Sequence, residues 1–407
     1  MTARAATGPS NPDLLDPVAV ARPHGYLRAV RDRDPICWSQ RHKAWLITGH
    51  PELDEAFKDL RLSTERMAGF KSRQSGSRAE ALEAAIELLD GWMLFHEPPT
   101  HGRLRHPLAR SFTPRAVSRL AERIQGIADR LVDDLAATGR GDLVPLFSHP
   151  LPAAVIAELF GVPPKLDRWL ASWSAKFGVV VFGATERADY EEVARASGAE
   201  FTEVIGDLMD RYRAEPQDNL LSLLLATEGE RDGLSTSEII GACSLLLFAG
   251  HDTTSSLLGS ATAALLERPD QAERLRSGDV DLDLAVEELL RFEAPAKTMM
   301  RTVTETHERH GHRFEAGQSV FMAILAANHD PRVFDDPERL DLGRSPNPHL
   351  AFGFGHHFCL GASLARLEAR TALPTLLRRL PDLRLDGEVR WNPTISDRSP
   401  ASIPVAT

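Results

Sequence analysis

The sequence predicts a mainly α-helical fold with a small β portion. Apolar residues recur at three- and four-residue spacing through most of the 407 residues, with charged residues between them, and this period is typical of amphipathic helices. Segments with strand-like composition are few and short. No linker rich in proline, glycine and serine divides the chain. We therefore expect one domain over residues 16–407, preceded by a flexible arm over residues 1–15.

The predicted β portion begins with a hairpin. The segments PICWSQ and AWLIT flank the turn RHK, and both are rich in residues that favour strands. Further short strands are expected at RTVT, at HRFEAGQSVFM and in the C-terminal tail.

The longest predicted helix spans Thr236–Leu266. Ser235 and Glu238 form a capping-box pair at its start, and Pro269 stands just beyond its end. The middle of this helix is apolar on all sides, which predicts burial. The polar run from Gly250 interrupts the apolar stretch before it reaches the length of a membrane span.

Composition excludes several classes of protein. The net charge is −11 and the Lys and Arg residues are scattered, so nucleic-acid binding is not expected. The N-terminal residues have no apolar core that would serve as a signal peptide or membrane anchor, and we expect a cytoplasmic protein that does not bind membranes.

The three cysteines, Cys37, Cys243 and Cys359, are far apart and include no CxxC pair. This pattern argues against a disulfide framework or a structural zinc site, and Cys37 and Cys243 are expected in the core.

The segment AGHDTTS interrupts the long apolar helix with a carboxylate and hydroxyl groups. Asp and Thr are poor residues for a helix interior, and Gly250 costs about 1 kcal/mol relative to alanine. One interpretation is a kink whose polar groups satisfy one another. The other is a pair for proton delivery, in which Asp252 and Thr253 hold water beside a reaction centre.

A second candidate feature is Glu288 with Arg291. The two are three residues apart and share a helix face, so they can form a forked ion pair that a third cation such as Arg339 joins. A solvated surface pair is the common alternative for this spacing.

Three further cations are isolated in the sequence. His101 and Arg105 are four residues apart on one predicted helix face, and Arg301 stands at the start of a predicted strand. Such groups suit an anionic ligand, and they equally suit a solvated surface.

The segment AFGFGHHFCLGASLAR places Cys359 among glycines and histidines. Zinc binding, nucleophilic catalysis and a buried structural role are possible uses of this cysteine. Glycines around it permit a tight loop, and the helix expected to begin near Ala362 directs its positive end at the sulfur. That environment favours a thiolate, which suits a metal.

The segment FGFGHHFCLG resembles the cysteine loop of the cytochromes P450. The matching loop positions are Phe352, Gly355, His357, Cys359 and Gly361. The same family carries Glu-x-x-Arg, which Glu288 and Arg291 match. Its central-helix pattern is matched by Ala249, Gly250, Asp252 and Thr253. The resemblance covers nearly the whole chain, with the motifs in the family's order, and it is closest to the soluble bacterial members.

The resemblance implies a P450 fold in which haem b lies between the long central helix and the helix after the cysteine loop. Cys359 is then the axial thiolate ligand of the haem iron. Phe352 shields the sulfur, backbone N–H groups near Gly361 temper its charge, and Ala249 lies against the haem. The implied contacts of the haem propionates are His101, Arg105, Arg301 and His357. The implied network that supports the loop consists of Glu288, Arg291 and Arg339. Asp252 and Thr253 deliver protons when O2 is activated.

The resemblance also implies a monooxygenase that inserts one oxygen atom from O2 into a hydrophobic small molecule, with natural-product tailoring as one role open to it. The pocket candidates are Leu245, Phe248, Lys297, Met299, Ile395 and Ser396. Lys297 either pairs with a substrate carboxylate or, as we expect, extends to solvent. Residues Lys176 to Glu192 correspond to the family's mobile roof.

Electrons are expected from a separate ferredoxin or flavodoxin, fed from NAD(P)H by a reductase, and the protein is expected to be a monomer. Arginines such as Arg103, Arg110 and Arg366 are candidate contacts for an acidic partner. Two other functions stay open: a peroxide-driven P450 peroxygenase, and a haemless P450-like module that recruits other enzymes.

Overall fold

The computed structural model describes residues 9–65, 67–72, 75–181, 187–230 and 233–407. The described chain forms two compact units. The first comprises the described residues up to Ser63, with Ile124–Pro150 and Thr253–Thr407. The second comprises the described residues of Thr64–Arg123 and Leu151–Asp252. The single domain expected over residues 16–407 stays a prediction.

The predicted N-terminal arm is only partly described, because residues 1–8 lie outside the described residues. The described end of this segment packs on the first unit, and the flexibility of the arm over residues 1–15 stays a prediction. Leu14 is 2% exposed, and the amide of Asp13 donates a hydrogen bond to the phenol oxygen of Tyr26 at 2.8 Å. Ser39 Oγ donates to the carbonyl of Pro12 at 2.7 Å. A buried leucine and specific hydrogen bonds therefore fix this part of the chain.

Helices dominate the described residues, as predicted. In chain order they are α1 (Pro17–Ala21), α2 (Pro23–Arg33), α3 (His50–Lys58), α4 (Met67–Ser72), α5 (Gly76–Asp90), α6 (Thr100–Ala109), α7 (Pro114–Ser118), α8 (Ala121–Thr138), α9 (Pro150–Phe160), α10 (Asp167–Val181), α11 (Tyr190–Ala214), α12 (Leu220–Leu225), α13 (Thr236–Leu266), α14 (Pro269–Ser277), α15 (Leu282–Phe292), α16 (Ile324–Ala327) and α17 (Ala362–Arg379).

The strands found in the described residues all belong to the first unit. They are β1 (Ile36–Ser39), β2 (Ala44–Ile47), β3 (Leu62–Ser63), β4 (Arg140–Asp142), β5 (Met299–Val303), β6 (His307–Arg309), β7 (His312–Phe314), β8 (Ser319–Met322), β9 (Arg384–Leu385), β10 (Arg390–Trp391), β11 (Pro400–Ser402) and β12 (Pro404–Ala406).

The main sheet of the first unit has five strands in the order β1-β2-β8-β5-β3. Strands β1 and β2 form the predicted antiparallel hairpin, with Ile36 opposite Ile47, and β2 pairs in parallel with β8. Strand β5 runs antiparallel to β8, with Arg301 opposite Val320. The smaller sheets have the orders β4-β12-β9, β10-β11 and β6-β7. The main sheet packs its apolar face into the core, where Leu46 and Val320 are at most 1% exposed.

The long helix α13 has the predicted bounds, and its start has the predicted capping box. The amide of Ser235 donates to Glu238 Oε2 at 2.9 Å, and the amide of Glu238 donates to Ser235 Oγ at 3.3 Å. These two bonds satisfy backbone groups that have no partner within the helix. In the second unit α13 passes close to the end of α5, where a Cβ atom on Gly241 would lie 2.5 Å from the Cα atom of Gly91.

Within the described part of the chain, no helix combines the length and the hydropathy that crossing a membrane requires.

Candidate functional site

The cysteine loop of the first unit is built on backbone hydrogen bonds and two glycines. Gly353 and Gly355 have φ values of 68° and 74°, which side chains with a Cβ atom rarely adopt. The amide of Phe358 donates to the carbonyl of Gly355 at 3.0 Å, and the amide of Cys359 donates to the carbonyl of Phe352 at 2.9 Å. The loop therefore has a fixed path, and it leaves Cys359 exposed.

Helix α17 begins directly after the loop. Gly361 is its N-cap, and the amide of Ala365 donates to the carbonyl of Gly361 at 2.9 Å. Cys359 thus lies two residues before the positive end of an 18-residue helix, where a thiolate is stabilised. Among the described residues, no cluster of three His, Cys, Asp or Glu side chains that could hold a metal ion includes Cys359.

The chemistry of the loop fits a haem group. Phe354 is 46% exposed and Phe358 is 41% exposed, so the loop that carries Cys359 also carries accessible apolar rings. A thiolate suits the iron, and apolar side chains suit the macrocycle. Arg301 on β5 is 6% exposed, and a buried guanidinium suits a carboxylate group such as a haem propionate.

Two of the other expected propionate contacts lie in the second unit. His101 is 3% exposed in α6, and Arg105 follows one turn later in the same helix. His357 belongs to the first unit, within a helical turn at Gly355–His357, and its ring lies 4.4 Å from that of His356. The propionate roles of these residues stay predictions.

Asp252 and Thr253 lie at consecutive positions in α13. Burial raises the pKa of Asp252. Thr253 is exposed, although the residues that follow it in α13 are buried. Helix α13 is continuous through this segment, and a Cβ atom on Gly250 would lie 3.0 Å from Ile156, so the helix packs tightly here. The pair thus combines a carboxyl that holds its proton more tightly than usual with an accessible hydroxyl.

Glu288 and Arg291 form a buried ion pair in the first unit. Both side chains are 0% exposed, which rules out the alternative of a solvated surface pair. Arg291 Nε donates to Glu288 Oε2 at 2.7 Å, and Nη2 donates to Oε1 at 2.9 Å. Arg291 also donates to the carbonyls of Asn328 at 2.8 Å and Pro337 at 2.9 Å. These bonds offset the desolvation of the two charges.

The third cation of this network is Arg344, and the prediction of Arg339 in that position was wrong. Arg344 Nε lies 3.1 Å from both carboxylate oxygens of Glu288. Arg339 takes part through its carbonyl oxygen, which accepts from Arg291 at 3.3 Å and from Arg344 at 3.1 Å. The sequence offered no signal for Arg344, because it lies in an irregular segment without periodicity.

The network reaches the segment that leads into the cysteine loop. Asn347 Nδ2 donates to Glu288 Oε2 at 3.2 Å, and the amide of Leu350 donates to Asn328 Oδ1 at 2.8 Å. The ion pair therefore holds both ends of residues 347–350, the segment immediately before the loop. Glu288 bonds to Asn347, and Asn328, a partner of Arg291, bonds to Leu350.

The pocket candidates differ in their environments. Leu245 and Phe248 are buried in α13, while Met299 and Ile395 are partly buried against the core of the main sheet. The carbonyl of Ser396 accepts from the amide of Thr298 at 3.0 Å.

The expectation that Lys297 extends to solvent was wrong. This side chain is 4% exposed, and its Nζ donates to the carbonyl of Thr394 at 2.6 Å. Burial, together with the nearby Arg398, lowers the pKa of Lys297 to about 8.

The expected roof, Lys176 to Glu192, comprises the end of α10 and the start of α11, and its residues 182–186 lie outside the described residues. Two of the arginines proposed as partner contacts are already paired: Arg103 with Glu238, and Arg366 with Glu287.

Comparison with known proteins identifies the family. The sequence profile "Cytochrome P450" matches residues 190–278 and 282–389. The chain belongs to the cytochrome P450 family, and it is an oxidoreductase of the haem-dependent monooxygenase type, which uses O2 and a cysteine-ligated haem iron.

Its relatives include bacterial enzymes of known activity. It is 39% identical to the cytochrome P450 monooxygenase PikC of Streptomyces venezuelae, over 93% of this chain and 89% of that protein. It is 37% identical to 6-deoxyerythronolide B hydroxylase of Saccharopolyspora erythraea, over 89% of this chain and 90% of that protein. Its fold matches the crystal structure of P450BioI in complex with acyl carrier protein ligated to hexadec-9Z-enoic acid. That match has a TM-score of 0.87 at 31% identity and covers 97% of this chain and 99% of the other.

Proposed function

We propose that this chain is a monooxygenase in which the thiolate of Cys359 would bind the iron of haem b. The observation that carries the proposal is an accessible thiol in a glycine-bounded loop, two residues before the N-cap of α17. In this assignment Phe352 shields the sulfur, and Gly361 allows backbone N–H groups to approach it. Ala249 would contact the bound haem. The propionates bind His101, Arg105, Arg301 and His357.

The bound haem iron supplies the oxidising chemistry from O2. Thr253 Oγ1 orients water and accepts or donates a hydrogen bond at the site where oxygen binds. The carboxyl of Asp252 holds a proton and passes it towards Thr253. Burial raises the pKa of Asp252, which brings the carboxyl closer to the protonation equilibrium it needs near neutral pH. Glu288, Arg291, Arg344 and the carbonyl of Arg339 hold the cysteine loop in place and take no part in the chemistry.

We infer that the substrate is a hydrophobic small molecule and that the product is hydroxylated at a C–H bond or oxidised in a related way. Leu245, Phe248, Met299 and Ile395 are apolar, which supports this class. PikC and 6-deoxyerythronolide B hydroxylase support a role in natural-product tailoring.

Electrons come, in this proposal, from NAD(P)H through a reductase and a ferredoxin or flavodoxin. The acidic partner binds exposed cations, of which Arg110 is a candidate. Arg103 and Arg366 contribute less, because carboxylates already neutralise them. We propose that the protein works as a monomer in the cytoplasm.

The test of the haem assignment is the absorption spectrum of the reduced protein with CO. Wild type is expected to show the red-shifted Soret band of a thiolate-ligated haem, and Cys359→Ser is expected to lose it. Cys37→Ala is the matched control, because it removes a thiol on β1. A colourless wild-type protein would support the haemless recruitment module instead.

Turnover separates the monooxygenase from the peroxygenase. A ligand screen that follows the Soret shift on displacement of iron-bound water identifies a substrate. With that substrate, product formation is expected to need O2 and the electron-transfer proteins. A full rate with hydrogen peroxide alone would favour the peroxygenase.

A further inference from the structure

The ring of Phe352 in the cysteine loop is held on two sides. The guanidinium carbon of Arg366 lies 4.4 Å from the centroid of the Phe352 ring, within the range of a cation–π contact. The ring of His349 lies 6.1 Å from the Phe352 ring at 52°. The carbonyl of Phe352 accepts the amide hydrogen of Cys359. Phe352 therefore connects Arg366 and His349, which contact its ring, to the backbone amide of Cys359, which bonds to its carbonyl.

Glu287 joins both of these side chains. Arg366 donates to it through Nε at 2.6 Å and through Nη2 at 2.7 Å, a forked arrangement. His349 Nε2 lies 3.1 Å from Glu287 Oε2. Because His349 Nδ1 accepts the amide hydrogen of Ala351 at 3.2 Å, Nε2 carries the proton and donates to Glu287.

The Glu287 carboxyl group is ionised. Burial alone would raise the pKa of this carboxyl, but the hydrogen bonds from Arg366 and His349 bring it down to about 2. Glu287 is therefore an ionised acceptor across the whole range of working pH.

Glu287 and its neighbour Glu288 have separate partners. Glu288 contacts Arg291 and Arg344, whereas Glu287 contacts Arg366 and His349. Consecutive helical residues do not share a face, so α15 presents one carboxylate to each set. Glu287 on α15 therefore joins two other parts of the first unit: the segment before the loop, through His349, and α17, through Arg366.

We propose that Glu287 is a positioning residue that fixes the Phe352 ring through Arg366 and His349, and thereby sets the polarity around the Cys359 sulfur. The proposal rests on the function proposed above, in which Cys359 binds the haem iron. Groups that orient a metal ligand and control solvent access to it tune the metal centre. Without the Glu287 carboxylate, the Arg366 guanidinium and the Phe352 ring become more mobile. Water then reaches the Cys359 sulfur. Water that stabilises the thiolate charge makes the iron easier to reduce.

The test compares Glu287→Gln and Arg366→Lys with wild-type holoenzyme. Glu287→Gln removes the charge, while Arg366→Lys keeps a charge but loses the fork and the planar stacking, so it gives a folded variant should the first fail. Both are expected to raise the reduction potential of the haem. Both are also expected to convert the thiolate-type CO complex to the thiol type faster than wild type, and to lose haem about tenfold faster.

The matched controls are Asp283→Asn and Arg370→Lys. Asp283 and Arg370 form an exposed ion pair that joins the same two helices, α15 and α17. These controls are expected to leave the potential and the CO complex unchanged. If the Glu287 and Arg366 variants change only the denaturation midpoint and keep the wild-type potential and CO spectrum, the residues are structural and the proposal is overturned. Failure of the haem assignment looks different, because wild type itself then lacks the thiolate-type band.

Discussion

Arg344 Nε lies 3.1 Å from both carboxylate oxygens of Glu288, so a second guanidinium shares the carboxylate that Arg291 already binds. Two cations around one buried carboxylate leave a net positive cluster, which backbone carbonyls compensate. Arg344 donates to the carbonyls of Asp335 at 2.7 Å and Arg339 at 3.1 Å. Residues 335–344 thus contribute both a guanidinium and backbone carbonyls to the surroundings of the Glu288–Arg291 ion pair.

Replacement of Arg344 is expected to destabilise the protein. Arg344→Ala leaves Glu288 buried with fewer donors and frees the carbonyls of residues 335–339, at a cost of about 2–3 kcal/mol in the free energy of unfolding. Arg339→Ala is the control, because this residue joins the Glu288 network through its carbonyl oxygen, which alanine keeps. Urea unfolding of the two variants measures the difference. Equal losses in both would contradict the assigned network.

The free energy of unfolding is expected to depend on pH through Glu368. This residue of α17 is 1% exposed, and within the described residues its Oε2 has no hydrogen-bond partner. Burial raises the pKa of Glu368 well above its ordinary value of 4.5. Folding therefore takes up a proton at any pH between the unfolded and the folded pKa, and stability falls as the pH rises through that interval, by about 1.4 kcal/mol per pH unit.

The variant Glu368→Gln removes this proton uptake. Its free energy of unfolding relative to wild type is expected to increase as the pH rises above the ordinary pKa of a glutamate, 4.5. Glu122→Gln, at an exposed position near the start of α8, serves as the control with no such trend. Urea titrations at several pH values supply the slopes, and parallel slopes for Glu368→Gln and wild type would show that Glu368 is ionised in the folded protein.

The sequence predicts best where local chemistry decides the structure. The capping box of Ser235 and Glu238 defines the start of α13, and the RHK turn defines the β1–β2 hairpin, because both depend on neighbours in the chain. The cysteine loop is also local, since its glycines and the start of α17 follow one another.

Contacts between residues far apart in the sequence are different. Arg344 reaches Glu288 across 56 residues, and Arg366 reaches Glu287 across 79. Arg344 lies in an irregular segment and Arg366 lies in helix α17, and neither carries a motif that encodes its partner. Lys297 illustrates the same limit. A lysine near an apolar run ordinarily extends to water, whereas the buried Nζ of Lys297 donates to the carbonyl of Thr394, 97 residues away.

A close helix contact in the second unit makes Gly241 intolerant of a side chain. A Cβ atom at this position would lie 2.5 Å from the Cα atom of Gly91 and 2.9 Å from the carbonyl oxygen of Leu88. Because both neighbours are backbone atoms, Gly241→Ala is expected to force the helices apart and to lower the free energy of unfolding by about 1–3 kcal/mol.

Gly206 in α11 is the control for this contact, since a Cβ atom added to Gly206 would meet no atom of the described residues within 4 Å beyond its own helix backbone and chain neighbours. Gly206→Ala is expected to stabilise the protein by up to about 1 kcal/mol, because alanine favours the helix. Thermal unfolding of both variants tests the pair. Stabilisation by Gly241→Ala would mean that α5 and α13 are not in contact at these glycines.

The hydroxyl of Thr253 is expected to couple electron consumption to product formation. Thr253→Ala removes the accessible hydroxyl next to Asp252. Water at the site where oxygen binds is then no longer oriented, and proton delivery to that site is no longer controlled. With a substrate from the ligand screen, NAD(P)H oxidation continues, hydrogen peroxide accumulates, and product per NAD(P)H falls about tenfold or more. Thr253→Ser keeps the hydroxyl and is expected to retain most of the coupling.

Thr254→Ala is the matched control for Thr253→Ala. Thr254 is the next residue of α13, but it is 4% exposed and points to a different face of the helix. Its replacement is expected to change stability more than coupling. The measurement is the ratio of product and peroxide to NAD(P)H consumed. If Thr253→Ala keeps the wild-type ratio while Thr254→Ala lowers it, the hydroxyl that serves oxygen chemistry lies on the other face of α13.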